Sequence, residues 1–255
     1  MLTPVNDLGD DPRRPVLICL PYAGGSARAF GAWGPALSAA GIGLLAVRLP
    51  GREELVRRRP YTRPKELVAD LANEIAPIAS SRPYALFGHS MGAGLAHTLT
   101  HEMSRRRYAL PDPLVVSAHR APHLPAPWPP TGDLADTELV DFLRVFGLVS
   151  VAALAIPELV ELLLPMLRAD LALAAAVPCR PRRPLSCRTV VYGGLDDPFV
   201  DAPALSAWGA AVLGTPHVRR FPGGHLFPWE HPEEFGRILL ADLAALSATT
   251  VGEAG

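Results

Sequence analysis

Six short apolar runs, separated by segments with helical spacing, constrain this chain more than any other feature. They are VLICLP (16–21), GLLAVRL (43–49), YALFGH (84–89), LVVSAH (114–119), TVVYGG (189–194) and HVRRFPG (217–223). Each is short and mostly bounded by Gly or Pro, as strands buried on both faces are. Helical patterns fall between them, near 30–39, 65–79, 91–107, 202–213 and 232–247. Alternating strand and helix predicts an α/β fold with a mostly parallel central sheet flanked by helices. Right-handed crossovers then bring the C-terminal ends of the strands to one edge, where ligands bind. With 255 residues, 49% of them hydrophobic and 19% charged, the expectation is one domain spanning 1–255.

Residues 133–177 break the alternation, with helix after helix and no strand. TGDLADTELVDFLRVFGL begins at an N-cap candidate, Asp133 or Asp136. PELVELLLPMLRADLALAAAV follows and carries Pro165 inside it, which predicts a kink or break there. This second helix is apolar on most of its circumference, as a buried core helix is. A position between two strands, upstream of the other candidate catalytic residues, favours a helical lid over an active site.

The run YALFGH leads into the helical MGAGLAHTLTHEM, and Gly88-His89-Ser90-Met91-Gly92 sits at the join. A G-x-S-x-G pentapeptide alone is weak, but at a strand-to-helix turn it predicts a strained elbow with an exposed nucleophile. Gly88 and Gly92 would remove side chains that clash with neighbouring elements. Ser90 is therefore the candidate nucleophile. In α/β-hydrolases the order along the chain is serine, acid, histidine. His89, His97 and His101 adjoin the motif, His119 and His123 precede any suitable acid, and His217 opens a strand. His231 reads as a cap-region residue before Pro232. His225, in FPGGHLFPWEHPEEF after the last strand, is the candidate base. The acid should follow the penultimate strand, where TVVYGGLDDPFV supplies Asp196 and Asp197. Counting G-x-x-D from Gly193 selects Asp196, with Asp197 in reserve as a turn residue before Pro198. Two backbone N–H groups should stabilise a developing oxyanion. Met91 supplies one, at the start of a helix whose N-terminal N–H groups point toward the site. The loop LPYAGGSARAF supplies the other, from Ala23 or alternatively Tyr22. No Lys-Ser/Thr follows that loop, so it is no phosphate-binding P-loop.

CLPYAGGSARAF, RLPGREE, YALFGHSMGAGLA, LLPMLRADL, YGGLDDPFV and FPGGHLF, spread over almost the whole chain, resemble the type II thioesterases of polyketide and non-ribosomal peptide synthesis. PGRE and LRAD have no catalytic logic legible in the sequence, yet they make the resemblance specific. It implies an α/β-hydrolase fold with a helical lid and a Ser90–Asp196–His225 triad. It also implies removal of aberrant acyl groups from the phosphopantetheine arm of acyl or peptidyl carrier proteins, by a monomer. No metal or cofactor is implied, since the pantetheine belongs to the substrate. The stretch GLVSVAALAIPEL (147–159) is more apolar than the family pattern. Carboxylesterase or lipase activity and a non-catalytic carrier-binding scaffold are the competing readings. A malonyl transferase would place an arginine about 25 residues after the serine, but LPDPLVVSAH (110–119) has none.

A net charge of −1 points away from nucleic acid. Arginine runs at 57–59, 105–107 and 180–183 are ordinarily solvated faces; as a docking surface for an acidic carrier protein they are the candidates. Cys19, Cys179 and Cys187 are too few and too irregular for a disulfide framework or a zinc site. The N-terminus is polar and acidic, unlike a signal peptide. The longest apolar stretch, 145–156, falls short of the ~20 residues of a membrane span. A soluble cytoplasmic protein is expected.

Overall fold

The computed structural model describes residues 1–9, 11, 13–126, 131, 134–145, 156–178 and 183–248. Seven strands form one sheet: β1 (Leu2–Pro4), β2 (Val16–Leu20), β3 (Gly43–Val47), β4 (Tyr84–His89), β5 (Leu114–Ser117), β6 (Thr189–Gly194) and β7 (His217–Phe221). Their spatial order is β1-β3-β2-β4-β5-β6-β7. Every pairing is parallel except β1 with β3, which is antiparallel and aligns Leu2 with Val47. This is the α/β-hydrolase fold. Six of the strands coincide with the apolar runs; β1 is an addition, because three residues are too few for a period to be read.

The helices are α1 (Gly34–Ala39), α2 (Pro64–Ser81), α3 (Met91–Arg105), α4 (Asp136–Val145), α5 (Pro157–Ala176), α6 (Ala202–Ser206), α7 (Phe227–Glu230) and α8 (Pro232–Ala248). In the inner strands β2 to β6, alternate residues enter opposite cores. Val16, Ile18 and Leu20 of β2, with Tyr84 and Leu86 of β4, pack against α2, α3 and α5. Leu17, Cys19, Ala85 and Phe87 face Phe30, Trp33, Leu37, Phe235 and Leu239 on the other side. A strand buried on both faces has no polar alternation to show, so its sequence reads as a continuous apolar run.

Among the described residues, two helices, α4 and α5, lie between β5 and β6, the place expected for a lid. At the start of α4, Glu138 Oε2 accepts the Ala135 N–H at 2.8 Å, so a glutamate rather than Asp136 caps this end. Asp133, residues 147–155 of the apolar stretch and residues 180–182 of the third arginine run lie outside the described residues. Of the kink or break expected at Pro165, the break does not occur: α5 runs through it from Pro157 to Ala176. Proline removes one backbone hydrogen bond. Leu164, Leu167 and Leu171 on one face and Met166 and Leu173 on the opposite face are nonetheless buried on both sides of that point, which holds the helix together. Among the described residues, no helix is long and apolar enough to cross a membrane.

Candidate active site

Ser90 stands between β4 and α3 with φ 52 and ψ −117, a conformation that costs a non-glycine residue of order 1–3 kcal/mol. Its surroundings impose it. The Ser90 N–H donates to the Ser117 carbonyl at 2.8 Å, which holds the elbow against β5. A Cβ on Gly88 would lie 2.2 Å from the Gly92 carbonyl oxygen, and one on Gly92 would lie 2.2 Å from that of Leu20. Both glycines of the motif are thus fixed by backbone-to-backbone approach. The contact with Leu20 also presses the start of α3 against the end of β2, beside the loop that holds Ala23.

Opposite Ser90, His225 follows β7, and its Nε2 lies 2.9 Å from Ser90 Oγ. Its Nδ1 lies 2.9 Å from Asp197 Oδ2. His225 and Asp197 are both buried, whereas Ser90 keeps partial access to solvent. The sequence expectation of Asp196 is corrected here. Asp196 is exposed, and what it contributes is its N–H, donated to the Gly223 carbonyl at 3.0 Å. The sequence offers two glycines in tandem, and the G-x-x-D count that the fold follows begins at Gly194, not Gly193. The reason is packing. A Cβ on Gly194 would lie 2.3 Å from the Gly224 carbonyl, so the β6 exit runs flush against the histidine loop and turns Asp197 inward. Asp197 also remains the turn residue foreseen before Pro198: its Oδ1 accepts the Phe199 N–H at 2.9 Å while Oδ2 faces His225.

The two proposed oxyanion donors sit on adjoining elements. Met91 is the first residue of α3, so its N–H has no acceptor within the helix. Ala23 lies in a tight turn closed by the Gly25 N–H on the Tyr22 carbonyl at 2.9 Å, with Gly24 at φ 81. In Ala23-Gly24-Gly25 the last two N–H groups are engaged, Gly24 by Asp170 and Gly25 by Tyr22. Ala23 is therefore favoured over its glycine neighbours.

His89, next to the nucleophile, is fully buried and does different work. Its Nε2 lies 2.8 Å from the His225 carbonyl, which only accepts, so Nε2 carries the proton. Its Nδ1, 2.9 Å from Ser117 Oγ, then accepts the serine hydroxyl. The ring supports the backbone of His225 from below, edge-on to Trp229 at 4.9 Å. Burial pushes its pKa well below the ordinary 6.5. Nothing in the sequence distinguishes this role, since the partner is a main-chain oxygen 136 residues away. His119 is half-buried, donates Nδ1–H to the Arg120 carbonyl at 2.7 Å, and has its pKa pushed down by loss of hydration to about 4.

Both histidines are neutral in the folded chain and take up a proton more readily once unfolded. Their contribution to stability is complete above pH 6.5 and is lost as pH falls through that value, for His119 until about pH 4. Denaturant unfolding at pH 7.5 and 5.5 should differ by about 1.4 kcal/mol in total for each histidine, because the slope approaches about 1.4 kcal/mol per pH unit only below pH 6.5. His119→Gln should remove one proton's share of that slope.

A family model described as a thioesterase domain matches residues 15–243. The chain belongs to the thioesterase family. This thioesterase is 30% identical over 235 residues to the gramicidin S biosynthesis protein GrsT of Aneurinibacillus migulanus, covering 92% of this chain and 91% of that protein. Among solved structures it is similar to RedJ, a thioesterase of the prodiginine biosynthetic pathway in Streptomyces coelicolor. That match has a TM-score of 0.83 at 33% identity and covers 93% of each chain. It is also similar to YbtT, a type II thioesterase of the yersiniabactin NRPS/PKS pathway. There the TM-score is 0.84 at 28% identity, over 96% of this chain and 99% of that one. The thioesterase is a serine hydrolase in its chemistry.

Proposed function

We propose that the protein hydrolyses acyl groups from the phosphopantetheine thiol of carrier proteins, clearing aberrant or stalled chains from a polyketide or non-ribosomal peptide synthase. The observation that carries this reading is the unbroken hydrogen-bonded series Ser90–His225–Asp197 at the elbow of a thioesterase chain. The likeness to GrsT, RedJ and YbtT along nearly their full lengths supports the biosynthetic setting.

In the proposed reaction Ser90 Oγ attacks the thioester carbonyl carbon and passes its proton to His225 Nε2. Asp197 holds the imidazole with Nδ1–H toward it and stabilises the imidazolium. The tetrahedral oxyanion rests on the Met91 and Ala23 N–H groups. As the C–S bond breaks, His225 returns the proton to the departing pantetheine sulfur, and an acyl-Ser90 ester remains. Water then adds to that ester, giving its proton to Nε2. Collapse of the second tetrahedral species returns the proton to Ser90 and frees the carboxylic acid. Arg57, Arg58 and Arg59 are exposed after β3, at the edge where the site opens, and suit an acidic carrier protein. Arg105 and Arg106 are weaker candidates, because both are engaged by Glu102 at 2.6 Å. We place the reaction in the cytoplasm, where the unbridged Cys19 and Cys187 would stay reduced.

The test pairs an acyl-carrier protein with an oxygen ester of the same acyl group. At least tenfold higher kcat/KM on the thioester is expected; faster turnover of the oxygen ester would make the protein a carboxylesterase instead.

A further inference from the structure

PGRE and LRAD, which had no catalytic logic as sequence, meet in the folded chain. Arg52, in the loop after β3, and Asp170, on α5, form an ion pair at 2.5 Å. Arg52 is 6% exposed and Asp170 1%. Each partner reaches past the other to the same turn. Asp170 Oδ2 accepts the Gly24 N–H at 2.8 Å, and Arg52 Nη1 donates to the Gly25 carbonyl at 2.6 Å. The turn that presents the Ala23 N–H is therefore held by one donor and one acceptor, from two elements distant in sequence.

A stability role is a poor reason for this arrangement. Two buried charges lose their hydration, and apolar residues of similar volume usually stabilise a core as well or better. What an ion pair supplies and an apolar pair does not is direction: four polar atoms fixed at hydrogen-bond distances. An oxyanion donor needs that, because its effect depends on lying where the charge develops. The Tyr22 ring anchors one end of the turn against Trp229, but the other end is two glycines, which have no side chains to restrict its shape.

We propose that Arg52 and Asp170 are positioning residues for the oxyanion hole, clamping the Tyr22–Gly25 turn and fastening it to α5. This inference rests on the assignment of Ala23 as an oxyanion donor and of Ser90 as the nucleophile. Its signature is a loss in kcat with KM little changed, because the turn acts on the tetrahedral state and not on substrate binding.

Two variants test it. Arg52→Lys keeps the charge but has one ammonium in place of a fork, so it can satisfy Asp170 or Gly25 but not hold both in plane. The double variant Arg52→Met/Asp170→Leu leaves no buried charge unpaired. Each is assayed for kcat and KM on butyryl-pantetheine, for inhibition by propylboronic acid, and for thermal unfolding. The boronate adds to a catalytic serine as a tetrahedral anion and so reports on the oxyanion hole directly.

In the double variant, kcat should fall on the order of 100-fold with KM within about threefold, and boronate affinity should fall in parallel. Arg52→Lys should show the same pattern at about tenfold. Folded variants with kcat within about threefold of the parent would overturn the proposal, as would a kcat loss with unchanged boronate affinity. If the double variant does not fold, Arg52→Lys decides by the same criteria. Ser90→Ala is run alongside. Parent activity that survives Ser90→Ala means the nucleophile assignment has failed. Parent activity lost in Ser90→Ala but kept in Arg52→Lys means that only the clamp has failed.

Discussion

Replacing Ser90 by alanine is expected to lower kcat on an acyl-carrier protein by at least about 10⁴-fold while leaving the fold and carrier binding intact. The oxygen that attacks is removed, and with it the hydroxyl hydrogen-bonded to His225 Nε2. The residual rate over water would come from substrate positioning and the oxyanion donors. The structural cost should be slight, because Ser90 holds its neighbours through its backbone: the N–H to the Ser117 carbonyl and the carbonyl to the Ala93 N–H. Alanine tolerates the φ of 52 about as poorly as serine does, so the strain is retained rather than relieved. Intact-mass analysis after treatment with a fluorophosphonate gives a second readout. A single adduct is expected on the parent and none on Ser90→Ala; an adduct on both would place the nucleophile elsewhere.

The second large effect separates two neighbouring carboxylates. Asp197→Asn should lower kcat by roughly 10⁴-fold, because an amide facing His225 Nδ1 favours the wrong imidazole tautomer and cannot stabilise the imidazolium. Asp196→Asn should stay within about threefold of the parent, since that side chain is exposed and its N–H bond to Gly223 does not depend on the carboxylate. Measuring kcat for the two single variants is sufficient. A large loss in Asp196→Asn with activity retained in Asp197→Asn would reverse the assignment. Asp197→Asn keeps an oxygen for the Phe199 N–H, so the turn before Pro198 should survive and a drop in activity would not reflect unfolding.

The same pair shows where reading from sequence reached its limit. The strand, the glycines and the two acids were all legible in TVVYGGLDDPFV. The register was not, because Gly193 and Gly194 each start an acceptable G-x-x-D. The choice is made by the Gly194–Gly224 backbone contact, a property of how two strand exits pack. His89 is similar. Its place in the motif was plain, but its bond to a main-chain oxygen of His225 leaves no trace in residue types. The edge strand β1 escaped notice because three residues carry too little pattern.

The apolar runs and their spacing were enough to determine the parallel sheet, because a strand covered on both faces must be apolar along its length. The elbow at Ser90 and the histidine after the last strand followed from that order, since parallel strands deliver their C-terminal ends to one edge. Only the tertiary structure decided which carboxylate faces His225 and why PGRE and LRAD occur together. Arg52 and Asp170 are 118 residues apart and meet through a turn that belongs to neither segment. Hydrophobic periodicity reports local burial, whereas the direction of a buried polar group is set by whatever donor or acceptor the rest of the fold brings to it.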